Sequence, residues 1–80
     1  MDTSKTYNGH RNWNYWNVAL WIGNDEGLYN LARSLYRSLG RAKAPHAFIR
    51  HMVEIGDTAT PDGAPYTIGA VRAAMAGLEG

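Results

Sequence analysis

Some residue groups in this 80-residue chain have the type and spacing to do chemistry. His46 and His51 could ligate a metal, but a spacing of five turns them roughly 140° apart on a helix, where ligands of one ion want three or four. His10 sits far from both in sequence. Ser4, Ser34 and Ser38 lack a glycine elbow and a neighbouring base, and there is no cysteine to act as a nucleophile. Asp25, Glu26, Glu54 and Asp57 could pair across a fold as acid and base, or could simply cap helices and carry surface charge. The scattered glycines form no phosphate-binding pattern. The expectation is a protein that is not an enzyme and holds neither metal nor cofactor.

Two further groups suit binding. Arg33, Arg37 and Arg41 recur every four residues with Tyr29 and Tyr36 beside them, a basic strip with stacking rings that could track a phosphate backbone. The same pattern also describes a solvated helix face, and arginine and tyrosine are enriched at protein interfaces. With eight Lys and Arg against seven Asp and Glu, the chain has no overall field to recruit nucleic acid or an anionic membrane. The second group is Trp13, Trp16 and Trp21, each bringing ~150–250 Å² and an indole N–H that needs a partner. Asn12, Asn14 and Asn17 could satisfy such groups. Rings spread around a helix cannot all face one small core, so Trp21 is expected to stay partly exposed and available to a partner.

The elements that must position these groups are helical. Near-continuous apolar character over 12–22 predicts a first helix, with Asn12 as N-cap and Gly23 as terminator. Leu28, Leu31, Ala32, Leu35 and Leu39 share one arc of a second helix over 25–39, closed by Gly40. Asp25 and Glu26 fall in its first turn, where they oppose the positive end of the helix dipole. Pro45 suits the opening of a third helix over 45–55, with Phe48, Ile49, Met52, Val53 and Ile55 on one face and Gly56 closing it. DTATPDGAPY is a turn-rich loop, and Thr67 caps a last helix over 67–78. The prediction is a compact all-α single domain of about four short helices spanning 1–80, the first two in a tight hairpin, with 1–11 a loosely ordered arm. MDTSKTYNGH has no apolar run and no stretch is long enough to span a bilayer, so a cytoplasmic protein without membrane contact is expected.

The opening third also carries a resemblance. YNG, then NWNYWNVALWI, then NDEGLYNLA resembles small proteins encoded by bacteriophages and other mobile elements, whose pattern is an asparagine and aromatic cluster running into W-N-V-x-L-W-I and then N-D-E. It is met here by Asn12, Tyr15, Trp16, Asn17, Val18, Leu20, Trp21, Ile22, Asn24, Asp25 and Glu26, preceded by Tyr7, Asn8 and Gly9. PYTIGAVRAAMAGL is similar to the closing helix of that group. Some small phage proteins of this kind are anti-CRISPR inhibitors, which bind a Cas complex, often type I, and obstruct target DNA binding or nuclease recruitment. The resemblance implies a phage accessory protein in the cytoplasm of a bacterial host, its partner a host complex such as a CRISPR–Cas effector. The candidate contacts are Trp21, Asn24, Asp25, Glu26, Tyr29, Arg33, Tyr36 and Arg37, on a chain that is a monomer or a homodimer. A nucleic-acid-binding module using the arginine and tyrosine face, and a structural or assembly protein of the virion, are the alternatives.

Overall fold

The computed structural model describes residues 12–79; the expected N-terminal arm lies outside them. Among the described residues there are three α-helices, α1 (Trp13–Asn24), α2 (Glu26–Glu54) and α3 (Ile68–Glu79), and no strand beyond an isolated bridge between Ala59 and Pro65. The chain is thus all-α, and none of these helices is long and apolar enough to cross a membrane.

α1 starts as its sequence dictates. Asn12 is extended, and its side-chain oxygen accepts from the Tyr15 N–H at 3.0 Å, satisfying one of the donors a helix start leaves open. Its end differs from expectation. Gly23 stays helical, and α1 runs to Asn24, whose side-chain amide donates to the Leu20 carbonyl at 2.9 Å. Asp25 then serves both helices. Its backbone N–H closes α1 on Trp21, and its carboxylate accepts from the Leu28 N–H at 3.0 Å to open α2. The one-residue connection is shorter than the usual two to five residues of a helical hairpin. The two helices join at this corner, and α1 packs chiefly against α3, less against α2.

The helices expected at 25–39 and 45–55 are the two halves of α2, divided as expected at Gly40 but with the second half starting earlier than residue 45. Gly40 breaks the helical path with φ 85° and ψ 176°, a region open essentially to glycine alone. No loop follows. Arg41, Ala42, Lys43 and Ala44 are good helix formers, and the buried Ala44 and Pro45 hold the second half on the core. Pro45, early in that half, forfeits one helical hydrogen bond. α2 ends in a Schellman motif, with Gly56 at φ 75°, its N–H on the Val53 carbonyl and the Asp57 N–H on that of Met52.

The core is built from Val18 and Ile22 of α1, Ala32, Ala44, Phe48 and Met52 of α2, Ala64 and Tyr66 of the loop, and Ala70, Val71, Ala74 and Met75 of α3. Phe48 and Tyr66 meet edge to face with ring centroids 5.5 Å apart. Several expected core residues lie outside. Leu39 is exposed beside the kink, and Val53 and Ile55 are each 57% exposed at the end of α2. On α1 the stripe through Trp13 and Leu20 faces solvent, because the buried stripe runs through Asn17, Val18 and Ile22. Trp13, at 39%, is the exposed tryptophan, whereas Trp16 and Trp21 are half-buried. Thr67 caps α3 as its sequence predicts, its hydroxyl accepting from the Ala70 N–H at 3.2 Å.

Candidate functional site

Asn17 and Trp21 stand four residues apart on α1, a spacing that puts both on one side of the helix. That side meets the loop between α2 and α3. Asn17 Nδ2 and Trp21 Nε1 each donate at 2.9 Å to the same oxygen, Oδ2 of Asp62. The Thr60 hydroxyl donates to Asn17 Oδ1 at 2.6 Å and accepts from the Ala64 N–H at 3.0 Å. Backbone bonds complete the turn, from Thr60 N to Ala64 O and from Gly63 N to Thr60 O. Asn14 adds a third attachment through Nδ2 to the Pro65 carbonyl at 3.2 Å. Its buried Oδ1 has no partner among the described residues, a cost of about 1–3 kcal/mol. The polar residues of the ring-rich segment therefore clasp the loop. The donors Asn17 and Trp21, in that order of effect, hold Asp62 below its ordinary carboxylate pKa.

The clasped loop forms one wall of a cleft of about 300 Å³. Trp21 stands at one edge, Asp25 with Leu28 and Leu31 comes from the α1–α2 corner, and His51, Met52 and Ile55 come from the end of α2. Asp57, Pro61 and Tyr66 close it from the loop. The walls are mainly apolar, with two carboxylates, an imidazole and a phenol on them. Burial, then the charges of Asp57 and Asp25, push the Tyr66 phenol up to about 12. Tyr66 therefore remains a neutral hydroxyl at physiological pH.

A second, shallower groove of about 350 Å³ lies on the outer face of α2, lined by Asn30, Arg33, Ser34, Arg37 and Ser38. Its side chains offer hydrogen-bond donors and no carboxylate, so it suits an anion.

The eight residues expected to contact a partner thus divide. Trp21 and Asp25 enter the cleft, although Trp21 is tied to Asp62 and Asp25 is a helix cap. Arg33 and Arg37 share the groove. Asn24 and Glu26 are exposed at the corner, with Asn24 occupied in capping α1. Tyr29 is half-buried and lines neither depression, and Tyr36 packs against the core. His51, Asp57 and Tyr66 were missed as cleft residues, and Thr60 and Asp62 as clasp residues. The available signal was the i, i+4 pairing of Asn17 with Trp21, two donors aimed at one acceptor. Among the described residues no three His, Cys, Asp or Glu gather as metal ligands.

Neither a curated protein nor a solved structure was found to match this chain. A family model does match, over residues 3–76, and by that near-complete coverage the chain belongs to the family of unknown function DUF7249.

Proposed function

We propose that this chain is a non-enzymatic binding protein of phage or mobile-element origin that docks on a bacterial defence complex and obstructs it. The form to test first is an anti-CRISPR inhibitor of a type I Cas complex, acting in the host cytoplasm on target DNA binding or nuclease recruitment. One observation carries the docking part. An arginine groove and a carboxylate-bearing cleft lie on different surfaces of a chain whose net charge is only +1. Separated patches of opposite sign serve electrostatic complementarity with a protein surface, which needs no net charge. The phage and defence parts are supported by the resemblance of the opening segment.

The test is a reconstituted type I complex with target DNA and the protein in excess. Inhibition at near-stoichiometric ratio, weakened by Arg33→Glu with Arg37→Glu, is the expected result. Unimpaired target binding and cleavage would remove the defence target. Affinity capture from a host lysate followed by mass spectrometry addresses docking itself.

A second function has an observation in its favour. The donors of the α2 groove could hold backbone phosphates, as a nucleic-acid-binding module would require. That function predicts a gel shift at low salt which fades steeply as salt rises and is lost with the same charge reversals.

A further inference from the structure

We infer that the cleft between the α1–α2 corner and the clasped loop receives a lysine or arginine side chain presented by a protein partner. This deepens the docking proposal above and rests on it, naming the chemistry of the contact.

The guest is specified by what the cleft offers. Leu28, Leu31, Met52 and Ile55 supply apolar wall, which suits a methylene stem. Asp25 and Asp57 bring two negative charges from different elements. Asp25 already accepts the Leu28 N–H through Oδ1, while the Asp57 carboxylate has no hydrogen bond or ion pair among the described residues. Trp21 at the edge offers a ring to a cation. Tyr66 lines the cleft, and its hydroxyl makes no hydrogen bond among the described residues, so it is open to a donor that enters. A bound ammonium or guanidinium would donate to it.

The rim favours a protein over a free amine. The cavity sits at the bottom of the size range for small-molecule sites. On its wall Ile55 is 57% exposed, apolar surface with no use for a small cation but suited to a flat partner contact. Pro61, Asn24 and Glu26 are exposed around the same corner.

The experiment is a titration of the isotope-labelled protein, followed by amide and Trp21 indole resonances, with three capped tripeptides. Their central residue is arginine, lysine or norleucine, the last a neutral stem. Both cationic peptides should shift Trp21, Leu28, Ile55 and Asp57 saturably, and the norleucine peptide should not. Asp57→Asn should weaken the cationic peptides about three- to fivefold, the range of a solvent-accessible ion pair. It leaves the backbone bond of residue 57 intact and removes no cap.

Equal binding of norleucine, shifts confined to other surfaces, or an unchanged affinity in Asp57→Asn would overturn the proposal. Tighter binding of free butylamine than of the lysine peptide would overturn the assignment to a protein side chain. The two proposals fail separately. A Cas complex untouched by the protein leaves the peptide titration standing, and a flat titration leaves docking through the arginine groove standing.

Discussion

The clasp between α1 and the loop makes a quantitative demand on Asn17. This residue is 2% exposed, and its oxygen takes the Thr60 hydroxyl while its amide donates to Asp62. Asn17→Ala leaves the buried Thr60 O–H without an acceptor, a desolvation cost of about 1–3 kcal/mol. It also opens a small void where three heavy atoms stood, which adds to the loss. The expected total is roughly 2–4 kcal/mol, against a stability of about 4–12 kcal/mol for a domain of this size. At about 4–8 °C per kcal/mol the melting temperature should fall by roughly 8–32 °C. Asp62→Ala breaks two hydrogen bonds of similar length, yet it should shift the midpoint far less. Asp62 is at the surface, where water can take its place. Thermal and urea unfolding, followed by circular dichroism and tryptophan fluorescence, give the comparison. Thr60→Val should then cost less in the Asn17→Ala background than in the wild type, with a coupling of about 0.5–3 kcal/mol. If Asp62→Ala destabilises as much as Asn17→Ala, or the cycle shows no coupling, burial is not what gives the clasp its strength.

Other outcomes follow from the same geometry. Gly69 of α3 faces Tyr15 of α1: an added Cβ would lie 3.2 Å from Tyr15 Cζ and still nearer its hydroxyl. Gly69→Ala should therefore lower the unfolding midpoint, by about 1–3 kcal/mol of overpacking offset by ~1 kcal/mol of helix propensity. Tyr15→Phe should restore part of that loss, and a stabilised Gly69→Ala protein would contradict the packing. Since the folded pKa of Asp62 lies below its unfolded value of 3.8, its contribution is present above that pH and fades as acid carries the folded carboxylate through its own pKa. Unfolding midpoints between about pH 5 and pH 2 should fall more steeply in the wild type than in Asp62→Asn. Tyr66 acts at the other extreme. Its phenol is pushed up to about 12 from an ordinary 10, so its contribution is intact below pH 10 and is lost between 10 and 12. Tyrosinate absorbance should show one late-titrating tyrosine that Tyr66→Phe removes.

How much was legible in the sequence follows a physical division. Asn12, Asp25, Gly56 and Thr67 announce helix ends because a cap is made with backbone groups only a few residues away. The all-α class was legible for the same reason, since 3.6-residue periodicity is a property of one segment. Which stripe of α1 faces inward was not. Trp13, Trp16 and Leu20 look like the core stripe until the loop arrives on the side of Asn17 and Trp21, which bond to a residue 45 and 41 positions away. The break at Gly40 was visible, but its outcome, a kink rather than a loop, was decided by Ala44 and Pro45 being buried against the core. The cleft likewise joins Asp25 to Asp57 and Tyr66, positions that no local pattern relates. Local chemistry determined the helices and their caps; only tertiary packing could choose among their faces, because that choice depends on long-range contacts formed together.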